Sequence, residues 1–177
     1  PDSIEKISKI DEHIGVATSG LVADSRKLVY EARIKAQSYW LTYEEQVPGE
    51  AVAEHICDVK AEFTQGGGAR PYGVSMIIGS VDTDSSPRLF VTDPVGTYWG
   101  FLAAAIGRGT TRAGDFLQKN YSRSAKIDEA IGVGLGALRE ATEKELNEEN
   151  VEIARVPKKT RVYEKLNQDE VKTFLSQ

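Results

Sequence analysis

The sequence has little of several features that mark particular classes of protein. Its 177 residues include one cysteine, so no internal disulfide can form, and the disulfide-stapled scaffolds of secreted proteins are excluded. No apolar run approaches the roughly 20 residues of a membrane helix, and the polar first residues are unlike a signal peptide. Lysine and arginine number 22 against 27 aspartate and glutamate, a net charge of −5, so no basic surplus indicates a nucleic-acid partner. A protein of a reducing compartment, without membrane or nucleic acid, fits these absences.

The composition is that of an ordinary globular domain. Hydrophobic residues make up 40% of the chain and charged residues 28%, and a chain of this length can bury a sizeable core. There are no internal repeats, no low-complexity tracts and no composition shift that would mark a domain boundary. We therefore expect a single domain over residues 1–177.

The first half of the chain predicts two strands, two helices and a return to strands. Small and apolar residues around an Asp-Glu turn predict a hairpin within residues 4–18. A helical stripe runs from Leu21 to about Trp40, with Ser19 as the expected N-cap. A second runs from Pro48 to Phe63, and the glycines at 66–68 are expected to end it. Alternating residues from 72 to 106 then predict an antiparallel meander with tight turns.

The second half predicts two more helices and a final strand pair. The helices are expected over residues 110–121 and 127–146, and the strands over 151–156 and 162–163. Asn167 and Glu170 have the spacing of a capping box before a last short helix. Helix pairs between blocks of antiparallel strand favour a layered α+β sandwich.

No set of residues has the spacing of a catalytic or metal site. His13 and His55 lack partners at ligand spacing, so a structural role is expected for both. The glycines at 132, 134 and 136 lie inside a predicted helix, which indicates close packing against another backbone and not a dinucleotide site. Cys57 lies off the main apolar stripe of its helix, and we expect it to fill space. We expect no metal and no cofactor.

As a string of residues, however, the chain closely resembles the α subunits of the 20S proteasome, above all the archaeal ones. The matching stretches occur in the order of that family and span nearly all of the chain. They are Ser3-Ile4-Glu5-Lys6-Ile7, Thr18-Ser19-Gly20-Leu21-Val22-Ala23-Asp24-Ser25-Arg26, Arg70-Pro71-Tyr72-Gly73-Val74-Ser75, Thr92-Asp93-Pro94-Val95-Gly96 and Ala105-Ile106-Gly107.

The resemblance implies a fold. Members of the family have a four-layer αββα sandwich of antiparallel sheets flanked by helix pairs, the N-terminal-nucleophile hydrolase fold, and the predicted element order agrees with it. The resemblance begins well inside the family's sequence. We therefore expect this chain to lack the gating segment, the first helix and the first β-hairpin, and to be N-terminally truncated.

The resemblance also implies a function without chemistry of its own. Catalytic β subunits of the family begin with a threonine whose amine serves as base, whereas this chain begins with Pro1 and its internal motifs are of the α type. The implied role is a non-catalytic cytoplasmic subunit that forms a seven-membered outer ring with other α subunits. That ring would dock on β subunits, gate substrate entry and receive ATPase activators. The alternatives are a fragment of a catalytic β-type threonine protease subunit, and a free-standing α+β binding domain.

Three residues carry the implied binding site. In the family, the positions of Lys6, Gly20 and Leu21 line a pocket between adjacent α subunits that receives the C-terminal tails of ATPase activators. The start of the helix after Gly20 would point backbone N–H groups at the tail carboxylate, and Lys6 would add a mobile positive charge. We expect these three residues to lie together.

Overall fold

The computed structural model describes residues 5–65 and 70–176, and its first half alternates strands with two long helices. Two strands come first, followed by the helix pair and then by three strands. Their bounds are β1 Ile7–Asp11, β2 Ile14–Gly20, α1 Val22–Tyr43, α2 Gly49–Gln65, β3 Val74–Val81, β4 Pro87–Thr92 and β5 Tyr98–Gly100. The predicted glycine stop of α2 lies outside the described residues.

The second half is mostly helical, with two very short strands. The bounds are α3 Thr110–Asn120, α4 Ile127–Ala141, β6 Ala154–Arg155, β7 Glu164–Lys165 and α5 Gln168–Leu175. The predicted capping box of α5 is present: Asn167 Oδ1 accepts from the Glu170 N–H at 3.0 Å, and a Glu170 carboxylate oxygen accepts from the Asn167 N–H at 2.8 Å. Two donors at the helix start are thereby satisfied.

The first five strands form one antiparallel sheet in the order β1-β2-β3-β4-β5, as the predicted meander requires. The turn before β5 follows from its sequence, because a short acidic side chain can satisfy a turn's own backbone. Asp93 Oδ1 accepts hydrogen bonds from the N–H groups of Val95, Gly96 and Thr97 at 3.1, 2.9 and 2.8 Å.

The main core lies between this sheet and the pair α1 and α2. Inward residues of β2 and β3 alternate with outward ones, and Ile14 and Met76 are fully buried against the helices. From α1, Leu28 contributes to the same cluster, and from α2, Val52 and Ile56 do so. The predicted apolar spacing of α2 is thus confirmed as its packing face.

The opposite face of the sheet is covered by the second half of the chain. The Tyr163 ring lies so close to Gly15 that a Cβ there would sit 2.8 Å from it. A smaller cluster then joins α4, α5 and the β6–β7 region through Leu135, Ile153 and Val171. The layers are therefore the pair α1 and α2, the five-stranded sheet, the two-stranded sheet and the helices of the second half. This order confirms the expected four-layer α+β arrangement.

Three local predictions are wrong. The extended run predicted over 97–106 is a strand only at Tyr98–Gly100, because Ala103 and Ala105 leave the sheet and pack against α3 and α4. The fourth helix ends at Ala141 and not near 146, since Thr142 is extended and its hydroxyl accepts from the Lys144 N–H at 3.1 Å. The final strand pair, predicted over 151–156 and 162–163, is reduced to Ala154–Arg155 and Glu164–Lys165, so its second strand lies two residues later than predicted.

The glycines of α4 are explained only in part. Gly136 does meet a close neighbour, but this is the Phe116 ring of α3 and not a backbone: a Cβ at 136 would lie 2.5 Å from it. A Cβ at Gly132 or Gly134 would find no described atom within 4 Å. Close packing therefore accounts for one of the three positions. Among the described residues, no helix is both long and apolar enough to cross a membrane.

Candidate functional site

A groove of 690 Å³ lies between the first half of α1 and the two strands that precede it in sequence. We call it the α1 groove. Its helical wall consists of residues spaced three or four apart, which places them on one face of α1. The helical wall includes Val22, Arg26, Tyr30 and Arg33, and the strand wall includes Lys6, Ser8, Thr18 and Gly20.

The β1 segment runs beside α1 in the same direction. The Thr18 N–H donates to the carbonyl of Lys6 at 2.9 Å, which puts Lys6 beside the end of β2 and therefore near the start of α1. Three residues further on, the carbonyl of Lys9 accepts from Arg33 Nε at 2.9 Å. Lys6 thus lies at the N-terminal end of the α1 groove and Arg33 at the other end.

The N-terminus of α1 is fixed by a buried carboxylate. Asp24 accepts from both Nη atoms of Arg70, at 2.7 and 2.8 Å, and from the Gly73 N–H at 2.9 Å. The Arg70 hydrogen bonds are the main reason that the pKa of Asp24 lies below its usual value, although burial opposes them. The Leu21 N–H donates to the Gly73 carbonyl at 2.9 Å. The start of α1 is therefore tied to the segment that leads into β3.

Gly20 makes the turn from β2 into α1 possible. Its φ is +133°, and an added Cβ would lie 2.0 Å from the carbonyl oxygen of Gly73. A side chain is excluded both by the backbone conformation and by the close approach of that segment. This arrangement corrects the prediction that Ser19 caps α1: β2 continues through Gly20, and the N-cap position is Leu21, with no side-chain hydrogen bond.

The α1 groove is positively charged. Lys6, Arg26, Lys27 and Arg33 line it, and within residues 5–65 and 70–176 none of the four takes part in an ion pair. The one acidic residue that lines it among those described, Glu5, is held by Lys165 at 2.7 Å. The local charge is therefore opposite in sign to the net charge of the chain.

The backbone of Lys6 is held in place from the second half of the chain. The N–H groups of Lys6 and Ile7 both donate to Glu152 Oε2, at 3.1 and 3.2 Å. Lys165 Nζ lies 3.3 Å from the other oxygen of the same carboxylate. The strand that carries Lys6 is thereby fixed while its side chain remains at the groove.

The structure brings two of the three predicted site residues to one place. Lys6 and Gly20 both line the α1 groove, whereas Leu21 does not. Leu21 is half exposed, its N–H is occupied by Gly73, and its Cδ1 would lie 3.0 Å from a Cβ at Gly73. Leu21 therefore offers no N–H group to an anion, and the open donors at this helix start are those of the residues after it.

The prediction for the α2 stripe missed a buried lysine. Lys60 is fully buried, and its Nζ donates to the Val74 carbonyl, Thr92 Oγ1 and the Asp93 carbonyl at 2.9, 2.8 and 2.8 Å. Burial lowers the pKa of Lys60 to about 8, although Coulombic interactions with Cys57 and Asp93 act to raise it. Lys60 follows Val52 and Ile56 at four-residue spacing, which was the available signal. The side chain therefore joins the start of β3 to the end of β4.

Cys57 and His13, which were also considered for catalysis, are both buried. Cys57 is buried, as its predicted space-filling role requires, and burial raises the pKa of its thiol to about 11. His13 is fully buried and its Nε2 lies 2.8 Å from the Val47 carbonyl, which can only accept, so Nε2 carries a proton. Within the described part of the chain, no three His, Cys, Asp or Glu side chains are grouped to hold a metal ion.

Comparison with known proteins identifies the class to which this fold belongs. The family model for proteasome subunits matches residues 1–156. The chain therefore belongs to the proteasome subunit family. The relatives it matches are α subunits: it is 47% identical to the proteasome subunit alpha of Methanobrevibacter smithii over 175 residues, which cover 99% of this chain and 70% of that one.

Two further archaeal relatives give the same result. Identity is 44% over 177 residues to the proteasome subunit alpha of Methanothermobacter thermautotrophicus, covering all of this chain and 71% of the relative. It is 44% over 174 residues to that of Archaeoglobus fulgidus, covering 98% and 70%. The resemblance to archaeal α subunits is thus confirmed along nearly the whole chain.

Proposed function

We propose that the chain is a single-domain, non-catalytic α subunit of a proteasome core particle in the cytoplasm. It forms a seven-membered outer ring with like subunits, docks on β subunits, gates substrate entry and receives the C-terminal tails of activator ATPases. The observation that supports this most directly is the match to three proteasome α subunits over 98–100% of the chain. A β-type protease fragment and a free-standing binding domain have no comparable support.

The surroundings of the reactive side chains support a role without catalysis. A cysteine nucleophile needs a lowered pKa and an exposed sulfur, whereas Cys57 is buried and its pKa is raised. A general base needs a histidine that can reach a reacting group, whereas His13 is fully buried and bonded to the Val47 carbonyl. Neither has the surroundings that acyl-transfer chemistry requires.

The α1 groove supports binding of a carboxylate-ended tail. The first turn of α1 has backbone N–H groups without partners in the helix, and a helix start favours an anion. Lys6 adds an ammonium group at the same end of the groove. The tail carboxylate accepts hydrogen bonds from the amides that follow Leu21 and from Lys6 Nζ, while the exposed Leu21 side chain offers an apolar contact.

The test is replacement of Lys6 in the full-length protein within its natural assembly. We expect Lys6→Ala to weaken binding of a free-acid tail peptide about tenfold or more, because a hydrogen bond to a charged group is lost. Lys6→Arg keeps the charge and retains most of the binding. Basal hydrolysis of small peptides by the attached β subunits stays unchanged. Binding is measured by fluorescence anisotropy with free-acid and amidated peptides.

Lys159→Ala is the matched control, because Lys159 is an exposed lysine between β6 and β7, away from the α1 groove. It should bind the free-acid peptide like the unaltered protein. Equal binding by Lys6→Ala and the unaltered protein would contradict the assignment, as would equal binding of the free-acid and amidated peptides.

A further inference from the structure

The α1 groove is longer than a single carboxylate needs. Its helical wall extends over the twelve residues from Val22 to Arg33, and the eleven rises of about 1.5 Å between them make about 16 Å. An extended peptide advances about 3.3 Å per residue, so about five residues fit along this length. The end beside Lys6 is the carboxylate end in the proposed function, and the rest of the groove remains to be assigned.

The remaining length carries positive charge and one aromatic ring. Arg26 and Arg33 lie one and three turns into α1, and the exposed Tyr30 lies between them on the same face. Arg33 is anchored through Nε to the Lys9 carbonyl, so its Nη groups can serve another acceptor. Lys27 contributes less to this charge, because its ammonium lies over the Phe63 ring at 4.5 Å and the Tyr72 ring at 5.7 Å, and neither ring lines the groove.

We propose that the α1 groove binds an extended, acidic C-terminal peptide segment, so that the tail has carboxylates upstream of its end. This inference rests on the proposed function, because it takes the chain terminus to lie at Lys6. The upstream carboxylates pair with Arg26 and Arg33, and an apolar side chain between them packs on Tyr30. Such a groove discriminates among tails that share the same last residues and differ upstream in charge.

A peptide fits this groove better than a nucleic-acid strand does. The chain as a whole carries a net charge of −5, which repels a long polyanion while leaving a short acidic segment free to enter. Single-stranded nucleic acid is usually held by a series of aromatic side chains on which bases stack, and Tyr30 is the one aromatic residue along this groove in the part of the chain that the structure describes.

The experiment compares peptides that have identical last three residues and a free carboxylate. Two positions further upstream carry Asp in one peptide, Gln in the second and Lys in the third. With the full-length protein in its assembly, each upstream Asp should tighten binding about two- to five-fold over Gln. Lys should weaken it. The difference should disappear at about 1 M salt, where the Debye length is about 3 Å.

Arg26→Glu tests the assignment of the groove wall. Arg26 is exposed and makes no ion pair within the described residues, so its replacement should leave the fold intact. The variant should reverse the order of preference, with the Lys peptide binding better than the Asp peptide. Lys159→Glu, which has the same charge change outside the groove, should keep the original order.

The outcomes separate this inference from the function on which it rests. Carboxylate-dependent binding that is indifferent to the upstream charge would overturn the inference and leave the proposed function standing. Loss of the difference between free-acid and amidated peptides would contradict the proposed function itself. Displacement of the Asp peptide by a short single-stranded oligonucleotide at a lower concentration than by unlabelled Asp peptide would show a nucleic-acid groove, and would also overturn the inference.

Discussion

The two halves of the molecule are held together in different ways. Residues 7–100 have one large apolar cluster that joins a five-stranded sheet to two long helices, whereas the helices and short strands after residue 109 have two small clusters. The second half relies more on ion pairs and hydrogen bonds. Arg155 Nε lies 2.8 Å from a carboxylate oxygen of Glu164, and the Glu152 carboxylate accepts a hydrogen bond from the backbone just before β1. Burial of apolar surface is the main source of stability in the first half, and the second half is stabilised by its contacts with the first.

This difference explains where the candidate site lies. The α1 groove is built on the well-packed half, while one of its residues, Lys6, is positioned by Glu152 from the other. The Lys6 side chain keeps its position in the groove only if the backbone at this edge of the sheet is held in place. The second half thus contributes to the site without lining it.

The largest expected effect separates the two cores. Ile56→Ala in α2 removes a fully buried side chain from the large cluster and should lower the free energy of unfolding by about 3–5 kcal/mol. Leu135→Ala in α4 should cost about 2–3 kcal/mol, because the smaller cluster can close around the loss. Urea unfolding of both variants measures the difference. An equal or greater cost for Leu135→Ala would contradict the comparison.

A smaller effect is expected from Lys60, the polar group inside the first core. Below pH 8 both the folded and unfolded chains hold the proton, and the cost of the buried charge is present in full. Between about 8 and the ordinary value of 10.5 only the unfolded chain holds it, so the stability contributed by this group rises with pH, by about 1–3 kcal/mol. We expect this rise to be missing from Lys60→Met in urea unfolding measured from pH 7.5 to 10.5.

Cys57 is the control for that measurement. Its raised pKa means that the unfolded thiol loses its proton first, so its contribution to stability falls as pH rises from its ordinary value of 9.0 toward about 11. Cys57→Ala should therefore steepen the rise that Lys60 produces. The same pH profile for Lys60→Met and the unaltered protein would show that Lys60 does not titrate in this window.

The smallest expected effect concerns Asp24, the carboxylate at the start of α1, and the stability of the protein at acidic pH. Because the pKa of Asp24 is lowered, its ionised form adds stability above the ordinary value of 3.8, and this is lost as pH falls through the lower folded value. Asp24→Asn should reduce stability at pH 7 by about 1–2 kcal/mol and flatten the profile between pH 4 and 2. Thermal unfolding across that range checks it; an unaltered profile in the variant would contradict the assigned role of Asp24.

Local patterns were sufficient to predict the element order, and contacts distant in sequence account for most errors. The Asn167 capping box depends on residues three positions apart, and its prediction is confirmed. The tight turns predicted for the meander are equally local, and the one at Asp93 spans four positions. Helical spacing places Lys60 on the buried face of α2, but it does not reveal the oxygens 14 to 33 residues away that accept hydrogen bonds from its ammonium. The cap at Ser19 was wrong because Gly73, far along the chain, occupies the N–H of Leu21.

The candidate site was predictable only through the resemblance. A lysine beside a strand and a glycine before a helix carry no functional signal by themselves, and only their match to the family's motifs indicated that Lys6 and Gly20 share a site. Both line the α1 groove, but the positive residues along the rest of its wall were not predicted. The spacing of Arg26, Tyr30 and Arg33 puts them on one face of α1, whereas the position of β1 beside that face follows from sheet pairing.

The turn at Gly20 has a consequence for how the family's sequences can diverge. With φ at +133° and the Gly73 oxygen 2.0 Å from where a Cβ would stand, every descendant that keeps this turn must keep glycine at this position. The need for glycine at this position therefore comes from folding and holds whatever the subunit binds. Lys6 has no such constraint on its side chain. Replacement of Lys6 therefore alters the charge of the α1 groove and leaves this turn unchanged.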